Sequence, residues 1–159
     1  MIIIVTGSVG TGKTVISKAL ASRLNFEYID VNKIIKENDL RGSYIPELDT
    51  YEVDVKKLKN FLLNYINGKE DLIIDGHLSH YLDCDIINFC IVCRCDLKLL
   101  KQRLLDRGYN ELKIRENLDA EIFETCKQES LEFGHNLVEI DTTHKTVDEC
   151  VEDILKKIK

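Results

Sequence analysis

The sequence contains a single proline, and no apolar run in it approaches the length of a membrane-spanning helix. Because 44% of the residues are apolar and 31% are charged, the composition is that of a folded globular protein rather than a disordered chain. A membrane span needs about 18 consecutive apolar residues. A secretory signal needs a basic region and a cleavage site before the first structured element. The chain instead begins with a strand-like run, so we expect a cytosolic protein with no membrane partner, folded as one domain over residues 1–159.

The sequence also lacks a second cluster of cysteine and histidine residues that would complete a metal site. Three of its six cysteines, Cys90, Cys93 and Cys95, crowd into the run CIVCRC, which has the apolar character of a buried strand. A free cysteine in such a strand acts as a small hydrophobic residue. We therefore interpret these cysteines as buried thiols rather than as metal ligands or disulfides.

Positive charge is in deficit, with 22 basic against 28 acidic side chains and a net charge of −6. Such a surface as a whole repels nucleic acid, so any anionic ligand must be held by a local concentration of cations. The same net charge favours a basic protein as a partner. Direct contact with RNA stays an open question at this point.

Short β-branched runs alternate with segments of helical period, which predicts an α/β fold with a parallel sheet covered on both faces. Between residues 30 and 53 the pattern weakens, and we expect an excursion from the sheet there. The predicted strands are residues 2–6, 28–30, 72–75, 89–93 and 137–141, and the predicted helices are residues 13–24, 31–39, 54–67, 97–106, 110–133 and 147–158.

Residues 7–14 read GSVGTGKT and match the pattern G-x-x-x-x-G-K-[ST] of a phosphate-binding loop. A strand precedes the loop and a helix follows it, as this pattern requires; a glycine-rich turn with a chance lysine is the alternative. Inward-facing backbone N–H groups and the helix N-terminus would cradle phosphate. We expect Lys13 to reach the β- and γ-phosphates of ATP, and the Thr14 hydroxyl to ligate Mg²⁺. The predicted nucleotide-binding residues here are Gly7, Gly10, Thr11, Gly12, Lys13, Thr14 and Val15.

A second candidate site, which is acidic, lies within the run LIIDGH at residues 72–77. Asp75 ends an apolar strand, where a Walker B carboxylate orients Mg²⁺ directly or through its waters. The alternative is an ordinary aspartate that starts a turn with Gly76. His77 comes two residues later and is a candidate for positioning water or the transferred phosphoryl group, with a purely structural role as the alternative.

Arginines are concentrated in residues 94–109, RCDLKLLKQRLLDRGY. Arg103 and Arg107 lie four residues apart on one side of a predicted helix, and Arg94 ends a predicted strand. A guanidinium group binds phosphate bidentately and stays charged. Each arginine alone fits a solvated surface, but as a set downstream of a phosphate loop they are candidates for nucleotide binding.

These motifs, together with YIDVNKIIKENDL, CRCD and RGYNELKIRENLDAEIF, resemble the adenylate kinase isoenzyme six family, which comprises small adenylate kinase-like ATPases. The resemblance covers residues 2–158. The motifs most specific to this family are the Asp-x-His of Asp75 and His77 and the Arg-Gly-Tyr of residues 107–109. The latter is followed by Lys113, Ile114, Asn117, Glu121 and Ile122.

The resemblance implies a nucleoside monophosphate kinase fold with a five-stranded parallel core, a monophosphate-binding segment at about residues 30–53 and a short lid at about residues 106–116. It implies the reaction ATP + AMP = 2 ADP, with Mg²⁺, looser use of other nucleotides and a slow ATPase activity. The implied catalytic residues are Lys13, Asp75, His77 and Arg107, with Arg107 as the lid arginine that contacts ATP.

The monophosphate site departs from the family pattern. Lys36 stands where relatives have arginine, so the clamp on AMP is either weaker or supplied by Arg41. Lys36, Arg41 and Arg94 are the candidate contacts to the monophosphate, and Arg115 is an unexpected basic residue in the lid segment.

Two functions stay open. The first is phosphoryl transfer between nucleotides. The second is an ATPase switch in maturation of the small ribosomal subunit, acting on a basic ribosomal protein or on precursor RNA. The resemblance to the isoenzyme six family implies both functions. A kinase for another small acceptor, such as shikimate, shares the phosphate loop but lacks the Arg-Gly-Tyr segment.

Overall fold

Five strands form one parallel sheet, and two further strands form a separate antiparallel hairpin. The structure, a computed structural model, describes all residues from 1 to 159. The strands are β1 (Ile2–Thr6), β2 (Glu27–Asp30), β3 (Arg41–Ile45), β4 (Thr50–Val53), β5 (Leu72–Asp75), β6 (Phe89–Arg94) and β7 (Leu137–Asp141). The sheet order is β2-β5-β1-β6-β7, which confirms the predicted α/β fold and places the first strand at the centre.

Seven α-helices connect and cover these strands. None of them combines the length and the apolar character that crossing a membrane would take. The helices are α1 (Lys13–Leu24), α2 (Val31–Glu37), α3 (Val55–Ile66), α4 (Leu97–Asp106), α5 (Glu111–Ile122), α6 (Thr125–Glu132) and α7 (Val147–Lys157).

The central strand β1 is buried on both faces. Side chains alternate across a strand, so Ile3 and Val5 pack on the side of α1 and α7, whereas Ile4 packs on the side of α2 and α3. All three side chains are fully buried. Burying an aliphatic side chain of this size stabilises the fold by about 1.5–3 kcal/mol. The apolar sequence of β1 therefore fixes the position of the loop that follows it.

The prediction of one helix over residues 110–133 is wrong, because α5 and α6 are separated at Phe123 and Glu124. Glu124 adopts the left-handed region, with φ 54°. Arg94 ties this junction to the sheet, because its guanidinium donates both to the Glu121 carbonyl oxygen and to the Glu124 carboxylate. No glycine or proline lies at the break. The apolar periodicity of the sequence therefore continues through it and does not reveal that the helix ends.

The expected excursion between residues 30 and 53 leaves the sheet at the carboxyl end of β2. It consists of α2, capped by the Asp30 side chain, and the hairpin of β3 and β4, which the sequence did not predict. A single turn of 3-10 helix at Pro46–Leu48 joins the two hairpin strands. The excursion thus stands over the edge of the sheet at which β1 and β5 end.

The cysteines of β6 are buried as predicted, with Cys90 and Cys93 fully enclosed and Cys95 just beyond the strand. Burial raises the pKa of Cys90 to about 11 and that of Cys93 to about 12, so both stay protonated thiols near neutral pH. They serve as small packing residues beside the phosphate loop.

Candidate active site

The phosphate loop connects β1 to α1 at the carboxyl edge of the sheet. Gly7 has φ 142°, and a Cβ atom there would lie 2.5 Å from the Cys93 carbonyl oxygen, so only glycine fits without a shift of β6. Gly12 has φ 94° and precedes the first residue of α1. The amide groups of Val9, Gly10 and Gly12 have no acceptor within the protein. These amides and the N-terminus of α1 suit a bound phosphate group.

Three carbonyl oxygens of the loop are held by one donor within the loop and two donors outside it. Thr11 Oγ1 donates to the Ser8 carbonyl at 2.7 Å, and Arg103 Nη1 donates to the Gly10 carbonyl at 2.9 Å. Thr142, which follows β7, donates to the Thr11 carbonyl at 2.7 Å. Because these carbonyl oxygens already accept hydrogen bonds from the protein, the loop conformation is set before any ligand binds. Val15, predicted as a flanking contact, lies exposed on the first turn of α1.

Lys13 extends back over the loop, and its Nζ lies 3.1 Å from the Ser8 carbonyl oxygen. Burial lowers the pKa of Lys13, while the nearby Asp75 carboxylate acts in the opposite direction. The ammonium group is therefore already within the loop, where a phosphate oxygen can replace the carbonyl as its acceptor.

Asp75 ends β5 beside the loop and is almost fully buried. Its Oδ2 accepts from the Thr14 hydroxyl at 2.9 Å and from the Tyr28 hydroxyl at 2.8 Å, whereas its buried Oδ1 has no partner. A carboxylate with a free oxygen beside a hydroxyl is the donor set that Mg²⁺ prefers. The two residues predicted to hold the metal are thus in contact and fit that ion.

A cavity of about 450 Å³ lies between the hairpin segment, the loop and the start of α5. The structure brings together four residues that the sequence singled out, Lys36, Arg41, His77 and Arg107, all of which line the cavity. The charged members of this set, Lys36, Arg41 and Arg107, make with Lys113 a cationic wall against one acid, Glu116, in a protein of net charge −6. The remaining lining residues are Val9, Asn32, Ile35, Leu48, Thr50, Tyr51, Val53, Tyr109 and Asn117.

Aromatic rings hold part of this wall in place. The Arg41 guanidinium carbon lies 4.8 Å from the centre of the Tyr51 ring, which in turn lies 5.1 Å from the Tyr44 ring. Lys113 Nζ lies 4.1 Å from the centre of the Tyr109 ring. Stacking on a ring orients a cation without neutralising it, so both charges stay available to an anionic ligand.

His77 is uncharged at neutral pH. Burial lowers its pKa to about 4, and the positive charge of Lys13 acts in the same direction. The side chain faces the cavity close to the phosphate loop, so its imidazole can donate or accept a hydrogen bond there but adds no charge.

Two predicted arginines do not reach the cavity. Arg94 was expected to contact a monophosphate, but its guanidinium is committed to the carboxylates of Glu121 and Glu124. Arg103 was expected to contact ATP, but it supports the loop from behind through Gly10. Since Glu121 is 2% exposed, the pairing of Arg94 neutralises a buried carboxylate rather than a ligand.

Sequence reasoning missed the contacts that close the cavity at its rim. Asn110 Nδ2 donates to the Glu47 carbonyl oxygen at 3.2 Å, and Lys113 Nζ donates to the Asp49 carbonyl oxygen at 3.0 Å. These two bonds, here called the rim contacts, join the predicted lid segment to the hairpin turn. Sequence gives no signal for them, because the acceptors are main-chain atoms.

Fold and site together define a P-loop nucleoside monophosphate kinase fold. Among solved structures, the chain is similar to the shikimate kinase from Acinetobacter baumannii in complex with shikimate, with a TM-score of 0.71 at 18% identity, covering 99% of this chain and 92% of that one. It is also similar to the deoxyadenosine kinase from M. mycoides with bound dATP, with a TM-score of 0.62 at 19% identity, covering 99% of this chain. At these identities the likeness concerns the fold alone.

Sequence comparison then gives the family. A family model described as an AAA domain matches residues 3–124. The chain is 42% identical over 159 residues to a putative adenylate kinase of Thermococcus kodakarensis, covering 100% of this chain and 86% of the relative. It is 39% identical to a putative adenylate kinase of Methanocaldococcus jannaschii, with the same coverage. The chain belongs to this adenylate kinase-like family of P-loop proteins.

Proposed function

We propose that the protein is an adenylate kinase that transfers the γ-phosphoryl group of ATP to AMP, giving two ADP, with slow ATP hydrolysis as a side reaction. The observation that carries the proposal is the cationic cavity beside the phosphate loop, since its volume of about 450 Å³ suits a small polyanionic ligand. Phosphoryl transfer between nucleotides needs a second phosphate site facing the first.

In this proposal the loop and Lys13 bind the β- and γ-phosphates of ATP, while Lys36 and Arg41 bind the phosphate of AMP. Thr14 and Asp75 would hold Mg²⁺, which supplies positive charge against the triphosphate. Residues 30–53 act as the monophosphate-binding segment, and residues 106–116 as the lid.

The transfer requires no covalent intermediate with the protein. A phosphate oxygen of AMP forms a bond to the γ-phosphorus while the bond to the bridging oxygen breaks, and the electron pair stays on the departing ADP. Charge spreads over the equatorial oxygens of the transferred group, and in this proposal the guanidinium of Arg107, which lines the cavity, stabilises it. Neutral His77 lies on the same wall as a hydrogen-bonding group. The rim contacts keep water out while the two nucleotides are aligned.

The first test is product analysis over time, with Mg-ATP alone and with AMP, CMP, UMP or GMP added. We expect AMP to produce ADP far faster than ATP alone is hydrolysed. Arg107→Ala should remove most of the AMP-dependent conversion but leave ATP bound to the loop. Lys101→Ala is the control, because Lys101 lies exposed on α4, outside both the cavity and the lid. Slow hydrolysis that no monophosphate accelerates would contradict the proposal.

A second role, as an ATPase in maturation of the small ribosomal subunit, is supported by the resemblance to the isoenzyme six family and by the net charge of −6. Its partner would be a basic ribosomal protein. The test measures ATP hydrolysis without AMP, in the presence and absence of a purified basic small-subunit ribosomal protein. Stimulation that a basic control protein of equal charge does not reproduce would support this role, and equal effects of both would count against it.

A further inference from the structure

His80 is a buried histidine that the reaction described above does not use. It is 1% exposed and lies in a single turn of 3-10 helix between β1 and α6. Its Nδ1 is 2.9 Å from Thr6 Oγ1, and its Nε2 is 2.6 Å from Glu129 Oε2. The imidazole therefore bridges the last residue of the central strand and a helix beyond the lid.

The partners of His80 determine which of its nitrogens carries the proton. A carboxylate only accepts hydrogen bonds, so Nε2 donates to Glu129, and Nδ1 is left as the acceptor for the Thr6 hydroxyl. Burial lowers the pKa of His80, against the opposite effect of Glu129, so the ring is neutral near pH 7. Thr6 thus gives its only hydroxyl proton to His80.

Thr6 occupies a critical position, because Gly7 and the phosphate loop follow it directly. Its Oγ1 also lies 3.3 Å from the carbonyl oxygen of His77. The preceding residue, Val5, accepts from Gly76 N at 3.1 Å and from Ser79 Oγ at 3.2 Å. Gly76 and Ser79, on either side of His77 in the chain, are therefore both hydrogen-bonded to the Val5 carbonyl oxygen at the end of β1.

Glu129 connects this arrangement to the lid side of the molecule. It lies on α6, which begins only two residues after α5, and the Arg94 ion pairs hold that junction. His135, just beyond α6, donates from Nε2 to the His80 carbonyl oxygen at 2.7 Å. Main chain and side chain of His80 are thus both bonded to the α6 region.

We propose that His80 is a positioning residue for phosphoryl transfer: oriented by Glu129, it fixes the Thr6 hydroxyl and with it the main chain of Gly7, the first residue of the phosphate loop. The inference rests on the proposed function for its kinetic consequence. His80 touches neither the cavity nor the loop amides, so it acts only through Thr6.

The test compares Thr6→Val, His80→Leu and the double variant. Each single change removes the same hydrogen bond, so each should lower kcat about tenfold, the value of one buried hydrogen bond, with KM for both nucleotides within about twofold. The double variant should be no more than about twofold slower than the slower single variant. His80→Asn offers Thr6 an amide oxygen in place of Nδ1 and should recover most of the lost kcat.

Glu129→Gln tests whether the Glu129 carboxylate orients the His80 ring. The amide of glutamine fits the same space, but it can donate as well as accept, so it no longer requires the proton to lie on Nε2 of His80. Its kcat should fall about threefold or more, and Glu132→Gln, an exposed glutamate on the same helix, is the matched control with unchanged kcat. A role in stability alone would lower Tm in His80→Leu and His80→Asn alike and leave the kcat of the folded protein intact.

A second readout does not depend on turnover. Hydrogen exchange of the backbone amides in residues 7–14 and 76–81 should be faster in Thr6→Val and His80→Leu than in the unaltered protein or in Glu132→Gln. If the wild-type protein showed no AMP-dependent transfer, the proposed function would be overturned. The hydrogen-exchange comparison would still test whether His80 positions the loop. Normal kcat and normal exchange in Thr6→Val, or additive losses in the double variant, would overturn the role of His80.

Discussion

Loss of the rim contacts should turn the protein from a transferase towards a hydrolase. The variants are Asn110→Ala and Lys113→Met, alone and combined, since these side chains alone bond the start of α5 to the hairpin turn. Each bond contributes about 0.5–1.5 kcal/mol, and both lie at the surface, so about 1 kcal/mol together is expected. That value shifts the balance between open and closed rims about fivefold, because 1.4 kcal/mol corresponds to a factor of ten.

The assay measures ATP hydrolysis without AMP and ADP formation with AMP in the same preparation. The double variant should show about fivefold more hydrolysis relative to transfer, because an open rim admits water as a competing acceptor. Asn110 does not line the cavity, but Asn110→Ala also removes the N-cap of α5, because the Asn110 side chain accepts from Lys113 N at 2.8 Å, so Tm is measured alongside the ratio. Lys101→Met, a change on the exposed face of α4, is the control. An unaltered ratio in the double variant would refute the argument that the rim excludes water.

Three further changes test other parts of the structure. Gly7→Ala should lower Tm and abolish ATP binding, measured by calorimetric titration, because its methyl group would lie 2.5 Å from the Cys93 carbonyl oxygen. Because the pKa of His77 is lowered to about 4, the unfolded state binds more protons between that value and about 6.5, so stability should fall by up to about 3 kcal/mol on acidification across this window. His77→Gln should flatten that part of the profile of Tm against pH, and a parallel profile would contradict it. Arg94→Leu should destabilise the protein by about 3–5 kcal/mol in urea unfolding, because Glu121 is left buried and unpaired; a changed KM for AMP with normal stability would restore the rejected assignment.

The parts of the site that follow from sequence are those encoded by neighbouring residues. The loop from Gly7 to Thr14 requires its glycines, lysine and threonine within eight positions, so a pattern predicts it. Asp75 follows from its place at the end of an apolar strand. In each case the local sequence sets both the backbone conformation and the direction of the side chain.

The parts that could not be predicted depend on residues distant in sequence. Arg94 appeared to be a free cation because its partner Glu121 lies 27 residues later, on a helix whose packing the pattern does not show. His80 had no visible role because Glu129 lies 49 residues away. The break after Ile122 arises from bonds to Arg94 rather than from any helix-breaking residue. Long-range pairing of charged groups thus decided which predicted residues reach the cavity.

The bracing of the phosphate loop has a consequence for how the protein matures. Thr142 donates to the Thr11 carbonyl across 131 residues of chain, and Arg103 reaches Gly10 across 93. Both supports follow the motif along the chain, so they are synthesised after it. A nascent chain that stops before β7 carries the whole loop sequence without the contact that shapes its far end. We therefore expect a chain that contains β7 to bind nucleotide more tightly than a chain that ends before it.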